Sequence, residues 1–294
     1  MSHHNSPRDR GTGLIRFPRV WWRGRDPRQR LLTAFAMAAL LLSPLSHAEL
    51  VIYDYTVEEK LPQSRQNFVQ GLQIFDELLY VGTGQYGESR LLAYSFPDMR
   101  LLQEFKLPAN LFGEGVTRLG NRIFQLTWRS RRLLEYDADS FRLIKTHTIQ
   151  TEGWGITHNG SELFYSDGSQ NIYVLSPDTL VPRRTITVTL NGRPLPRLNE
   201  LEWIENEIWA NVFQANQLVR IDPDTGRVTA VVDLRGLLPE DERREGTDVL
   251  NGIAWDARSR ALWVTGKRWP WLYRVSLRKR PAAPTSQPAA SSNP

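Results

Sequence analysis

FGEGVTRLGNRIFQLTWRSRRLLEYD, residues 112–137, is the stretch whose reading decides the fold. A Gly-Glu-Gly loop enters a short strand, Leu119, Gly120 and Asn121 make a turn, RIFQLTW forms a second strand, and LLEYD forms a third after a basic turn. These are short β-branched and aromatic runs punctuated by Gly, Asn and Asp, the pattern of strands joined by tight turns. The chain repeats this phrase four more times. Second strands begin at Leu78 (LLYVGTG), Arg122 (RIFQLTW), Glu162 (ELFYSDG), Glu207 (EIWANVF) and Ala261 (ALWVTGK), at spacings of 44, 40, 45 and 54 residues.

An approach segment precedes each second strand: FVQGLQIFDE, FGEGVTRLGN, EGWGITHNGS, LNELEWIENE and LNGIAWDARS. A third strand follows each, as in RLLAYSF, NIYVLSPDTL and WLYRVSL. Self-similarity at about 40–50 residues, built from strands alone, marks a β-propeller with one four-stranded blade per unit. The expectation is an all-β, five-bladed propeller over residues 49–278. RVTAVVDL, after Gly226, supplies an outer fourth strand, and ELVIYDYTV (residues 49–57) has no second strand of its own. That N-terminal strand is expected to complete the last blade, joining the two chain ends and sealing exposed sheet edges. An all-β sandwich with coincidental spacing is the competing reading, and five units in phase argue against it.

The ends of the chain differ from its middle. Of the formal charge of +5, residues 1–48 contribute +6 through eight Arg and two Asp, which leaves −1 for the rest. The basic character therefore belongs to the leader and gives no nucleic-acid footprint. An Arg-rich region, the apolar run LLTAFAMAALLLSPL, and the small-x-small pattern at Ser46, His47 and Ala48 read as a signal peptide cleaved after Ala48. The run is short for a membrane span, so a periplasmic or secreted protein is expected, with an uncleaved anchor as the alternative. With no Cys there are no disulfides, and ring closure and packing must hold the fold. Residues 279–294, rich in Pro, Ala and Ser, read as a disordered tail.

In a propeller the loops at one end of the central channel usually build the site, and the approach segments enter there. They offer Gln70, Glu114, Glu152, Trp154, Asn199, Glu200 and Asn251. The second strands add Tyr80, Trp128, Asp167, Asn211, Gln214, Lys267 and Trp269. Each has a plainer reading: a glutamate can tie down loop amides, and a tryptophan can fill the wedge between blades. Taken together, carboxylates, amides, a lysine and indoles at equivalent phase suit a small polar ligand between aromatic walls. No metal site or cofactor is expected, because the mature chain has only His147 and His158, not spaced as a pair. There is no nucleophile elbow or phosphate loop, and DPDTG at residues 222–226 reads as a β-turn. Acid–base chemistry by carboxylate, with amide and ammonium donors, is what remains.

At these motifs the chain resembles the plant-type glutaminyl-peptide cyclotransferases, or glutamine cyclotransferases. The likeness runs from about residue 68 to residue 273 and rests on FxQGL, TGxYGxS, FGEGxTxLGxxIxQLTW, EGWGxTHxGxxLxxSDG, NELEW, IWANVFQ, LNGIA and TGKRWP. It implies a five-bladed propeller that closes the N-terminal glutamine of peptides and proteins to pyroglutamate. Ammonia is released, and the zinc of the animal-type enzymes is not used. It also implies that Trp128, Trp154 and Trp269 wall the pocket, while Gln70, Asn199 and Lys267 bind or polarise substrate. Glu114, Glu152 and Glu200 would grip the α-ammonium or orient the others, with Asn211, Gln214 and Asn251 as further contacts. A monomer is expected. One position departs from the family pattern: Val81 stands where family members carry a glutamate thought to shuttle the proton, which makes Glu114 the expected substitute. A non-catalytic exported propeller that binds a peptide or protein, and a calcium-dependent propeller lactonase using Glu114, Glu152, Asn199 and Asn251, are the alternative readings.

Overall fold

The structure, a computed structural model, describes residues 50–281. The expected signal peptide and the tail beyond residue 281 lie outside the described residues. Five antiparallel four-stranded meanders follow one another. Their innermost strands are Val69–Phe75, Gly113–Leu119, Ile156–His158, Leu198–Ile204 and Leu250–Asp256, and these define blades 1 to 5. The expected second strands are Leu78–Thr83, Arg122–Thr127, Leu163–Ser166, Glu207–Val212 and Ala261–Gly266. Each innermost strand packs against that of the next blade, and the fifth returns to the first, so the sheets form a closed ring. Apolar side chains fill the five wedges between neighbouring blades.

The N-terminal strand, Val51–Pro62, completes blade 5 as the sequence implies, with Tyr53 opposite Lys279 and Pro62 opposite Trp271. Its first residues also run parallel to Val228–Asp233, the outer strand of blade 4, with Val51 opposite Ala230 and Tyr53 opposite Val232. That second pairing joins blades 4 and 5 into one eight-stranded sheet and covers an outer edge. The last strand runs to Lys279. Arg280 then donates to Asp54 (Nε to Oδ1, 3.1 Å) and to Asp233 (Nη2 to Oδ2, 3.0 Å). The end of the last strand and the Arg280 contacts lie past the boundary expected at residue 278. Asp233 is held far below the ordinary carboxylate range, first by Arg235 and then by Arg280.

Near the start of the innermost strands, the pairing slips in four of the five blades: between Val69 and Gly71, Gly113 and Val116, Leu198 and Leu201, and Leu250 and Ile253. A bulge re-aims a side chain and bends the strand. Here it brings adjacent blades into backbone contact. A Cβ on Gly71 would lie 2.3 Å from the Val116 nitrogen, one on Gly115 2.7 Å from the Ile156 nitrogen, and one on Gly155 2.1 Å from the Asn199 carbonyl oxygen. At these three positions a side chain would collide with the next blade's backbone.

The next residue in that series is not glycine but Glu200, which has no exposed surface. Its two oxygens accept from the amides of Leu72 (3.2 Å) and Ile253 (2.8 Å), on blades 1 and 5. Further along the channel Glu202 accepts from Trp255 N–H (3.0 Å) and Thr157 O–H (3.4 Å), while Thr157 Oγ1 accepts from Trp203 N–H (2.9 Å). Gln73 Oε1 accepts from Arg118 N–H (2.5 Å), and Asn211 Oδ1 from Gly252 N–H (2.9 Å). Burial drives the Glu200 carboxyl well above its usual range, with the neighbouring Glu202 adding to the effect. Burial pushes Glu202 up to about 8.

Two consequences can be measured. Gly155→Ala is expected to cost roughly 1–3 kcal/mol of unfolding free energy, since the blade must shift off the Asn199 carbonyl, and chemical denaturation would read it. Glu202 also makes stability depend on pH. Its folded pKa of about 8 lies above the ordinary 4.5, so between those values the folded state holds a proton that the unfolded chain has released. Stability therefore falls as pH rises through that window, by at most about 1.4 kcal/mol per pH unit. Glu202→Gln is expected to flatten this slope in urea titrations at several pH values; an unchanged slope would show that another group titrates.

Candidate active site

One mouth of the channel opens into a pocket of about 240 Å³. Gln70, Glu114, Trp154 and Asn199 reach it from one equivalent position, the residue just before the close-contact level, in blades 1 to 4. Trp128, Phe213 and Lys267 reach it from a second equivalent position, directly after the second strands of blades 2, 4 and 5. Phe68 and Phe112, each two residues before a channel-facing residue, and Asp248 complete the lining.

Aromatic rings form the walls. Phe112 lies 5.4 Å from Trp128 and 6.3 Å from Phe68 between ring centres, and Trp154 meets Phe213 edge to face at 5.5 Å. Lys267 Nζ sits 4.9 Å from the Phe68 ring centre and 5.2 Å from that of Phe213, so aromatic faces flank its ammonium. Lys267 and Glu114 are both buried. Burial drives the Glu114 carboxyl well above the ordinary carboxylate range, opposed by the charge of Lys267 and reinforced by that of Glu152. Burial likewise lowers Lys267, opposed by Glu114 and then by Asp248. Each charge moderates the cost of burying the other. Asn199 Oδ1 is buried without a hydrogen-bond partner, an acceptor left for a ligand.

Six of the twelve site residues expected from the sequence therefore line the pocket: Gln70, Glu114, Trp128, Trp154, Asn199 and Lys267. The other six stand elsewhere. Glu152 lies beside it, accepting from Trp154 Nε1 (3.2 Å), with Arg129 3.9 Å away. Asn251 donates to Val69 O (3.0 Å) and Gln70 Oε1 (3.1 Å), orienting the Gln70 amide. Asn211 and Glu200 are turned to the backbone amides described above, and Glu200 is a structural group of the channel. Gln214 is an exposed turn residue with φ of 63°.

Trp269 is not a wall. It is buried in the wedge of blades 4 and 5, edge to face with Tyr273 at 6.1 Å, and its Nε1 donates to Asp248 O (2.9 Å). Asp248 N–H donates to Lys267 O (3.0 Å) and Lys267 N–H to Val249 O (2.9 Å), so the indole braces the hairpin that carries the lysine. Of the further candidates, Tyr80 is buried in the wedge of blades 1 and 2, and Asp167 accepts from Ser169 N–H (3.0 Å) and Tyr173 O–H (2.9 Å). Val81 lies opposite Leu72 in the apolar wedge of blades 5 and 1. Its side chain does not line the pocket, so valine there leaves the pocket charges untouched.

The sequence reading did not propose Phe68, Phe112, Phe213 or Asp248. Phe213 was available, because aligned second strands place Gly84, Trp128, Gly168, Phe213 and Lys267 at one position. The two glycines make room: a Cβ on Gly84 would meet the Phe112 ring at 2.3 Å, and one on Gly168 the Trp154 ring at 2.7 Å. Among the described residues no three His, Asp or Glu side chains converge as a metal-ligand set. Of the two carboxylates and two amides of the calcium reading, Glu114 and Asn199 line the pocket, whereas Glu152 is engaged by Trp154 and Asn251 by Val69 and Gln70. Asp222 Oδ1 accepts from Asp224 N–H (2.9 Å) and Thr225 N–H (3.1 Å), closing the DPDTG turn.

Comparison with known proteins agrees with this geometry. The family model for glutamine cyclotransferase matches residues 31–277. A glutaminyl-peptide cyclotransferase of Arabidopsis thaliana is 38% identical over 245 residues, covering 81% of this chain and 75% of that protein. The crystal structure of Myxococcus xanthus glutaminyl cyclase matches with a TM-score of 0.74 at 29% identity, covering 79% of this chain and 100% of that one. With its ring of five blades and its small aromatic pocket around a buried carboxyl and ammonium, the chain belongs to the glutamine cyclotransferase family of enzymes.

Proposed function

We propose that this protein closes the N-terminal glutamine of peptides and proteins to pyroglutamate and releases ammonia, with no metal ion in the reaction. The observation that carries the reading is the presence of two buried groups of opposite chemistry, Glu114 and Lys267, in the lining of one small aromatic pocket. A pocket of about 240 Å³ takes one amino-acid residue and excludes a folded partner. The nucleophile is the substrate's own α-amine, so the protein must fold the glutamine side chain back, move one proton and stabilise one oxyanion.

Trp128, Trp154 and Phe213 hold the side chain against the amine, and Asn199 Oδ1 accepts from a substrate N–H. The α-nitrogen attacks the γ-carboxamide carbon, and the carbonyl π electrons move to oxygen. Glu114, as carboxylate, takes the proton that the amine loses. Lys267 faces the oxyanion and supplies the positive charge that a metal would otherwise provide. Collapse of the intermediate restores the carbonyl and breaks the bond to the amide nitrogen, which leaves as ammonia with the proton returned by Glu114. A carboxyl whose proton affinity is raised by burial suits a group that must both accept and give the same proton. The signal-like N-terminal sequence supports a periplasmic or secreted location for this activity, and one chain holds every group in the pocket.

The test is ammonia release from Gln-Ala by the mature protein, with and without chelator, with product identified by mass as the loss of one ammonia. Turnover that survives chelation is expected. Absence of ammonia from folded protein would overturn the reading, and loss of turnover on chelation would overturn its metal independence. Glu114→Gln should lower kcat by roughly 10²- to 10⁴-fold while leaving the fold intact. Because burial holds the proton on Glu114, kcat should rise with pH above the ordinary carboxylate range, and that limb should vanish in the variant.

A further inference from the structure

A groove of about 640 Å³ lies next to the pocket, lined by Arg65, Arg90, Lys106 and Arg268 against Glu88 and Glu104. Phe68, in the pocket lining, is the ring that a lysine of the pocket and an arginine of the groove share. Lys267 Nζ lies 4.9 Å from its ring centre, and the guanidinium carbon of Arg268 lies 5.8 Å from the same centre. A chain leaving the pocket past Phe68 therefore enters the groove within about three residues, at roughly 3.3 Å per extended residue. We propose that this groove binds the residues that follow the N-terminal glutamine, and that it selects peptides with acidic side chains at positions 2 to 5. The proposal rests on the cyclase reading of the neighbouring pocket.

Cations outnumber carboxylates in this groove, and two of the cations are held in place by neutral partners. Arg65 donates to the Glu242 carbonyl oxygen (2.7 Å) and to Thr247 Oγ1 (3.4 Å), and Arg90 to Gln66 O (3.3 Å) and Asn67 Oδ1 (3.2 Å). These partners are neutral, so they set the position of each guanidinium without cancelling its charge. Arg268 is held with φ of 60°, its Nε buried without a partner, and Glu88 approaches it only to 3.8 Å. Lys106 is exposed on the outer strand of blade 1. Four cations against two carboxylates leave the groove net positive, although the chain after Ala48 carries −1 overall. A local excess of that kind on a near-neutral protein favours a ligand of opposite charge.

The experiment compares Gln-Ala-Ala-Ala-Ala, Gln-Asp-Glu-Asp-Glu and Gln-Lys-Ala-Lys-Ala amides on the mature protein. The acidic peptide should show a kcat/KM roughly 3- to 30-fold above the neutral one, with the basic peptide below it, as two or three exposed charge pairs allow. The gain should appear in KM and not in kcat, since the contacts are remote from the reacting carbon. It should shrink in 0.5 M salt (about 0.5 M suffices to screen exposed pairs) and in Lys106→Glu. Equal kcat/KM for all three peptides would overturn the groove while leaving the cyclase reading in place. If none is cyclised, fluorescence anisotropy with the labelled acidic and neutral peptides separates the two ideas. Tighter acidic binding would then sustain the groove without the cyclase reading, and equal or absent binding would end both.

Discussion

The innermost strand of each blade has one edge with no partner strand, and the rest of the structure depends on how those edges are satisfied. Five such edges face a narrow channel, where an unpaired N–H would be buried without water. The solution is a set of acceptors sent across the channel from other blades. Glu200 serves blades 1 and 5, Glu202 and Thr157 serve blades 5 and 4, and Gln73 serves blade 2. These groups are buried because their partners are, and the proton affinities of Glu200 and Glu202 rise as a result. A buried carboxyl in this protein is therefore not by itself a sign of chemistry.

Closure at the glycine level has a second effect. Gly71, Gly115 and Gly155 press against the backbone of the next blade just beyond the residues that reach the mouth. The side chains just before that level in blades 1 to 4 enter the mouth. Two rings of equivalent positions meet there, one carrying Gln70, Glu114, Trp154 and Asn199, the other Trp128, Phe213 and Lys267. Glycine at the remaining members of the second ring, Gly84 and Gly168, lets the Phe112 and Trp154 rings lie flat across blades 1 and 3. The result is a site in which a buried carboxyl and a buried ammonium share one aromatic-walled pocket, where electrostatic effects are larger than in water.

The fold was legible because the chain states it five times, and the closing strand was legible because residues 49–57 had no blade of their own. The parallel pairing of Val51–Tyr53 with blade 4 was not legible, since it depends on where two outer edges meet in space. Within the site, the separation of Glu114 from Glu200 was present in the repeats. Glu114 aligns with Gln70, Trp154, Asn199 and Asn251, whereas Glu200 aligns one residue later, with Gly71, Gly115, Gly155 and Gly252. One residue along a strand reverses the face, and so it separates a pocket carboxyl from a channel strut. Val81 shows the converse. A departure from a family pattern draws attention to a position, but only burial in the wedge beside Leu72 shows that its side chain never meets the pocket.

A ring of near-identical blades cannot by itself make an asymmetric site, and the asymmetry here has one main source. The spacing of 54 residues before the last second strand reflects a longer connection between Val228–Asp233 and Leu250–Asp256. Its short helical turn, Glu240–Glu242, is tied to the closing strand through Lys60 and to the last strand through the indole of Trp271. The same connection ends at Asp248, which lines the pocket, opposes the lowering of the Lys267 pKa and receives the Trp269 indole on its carbonyl. Arg65, one of the groove cations, is anchored on it as well. The segment that braces the seam between the two chain ends therefore also positions the ammonium of the pocket and a cation of the neighbouring groove. Loosening that seam would alter the site's charges before it opened the ring.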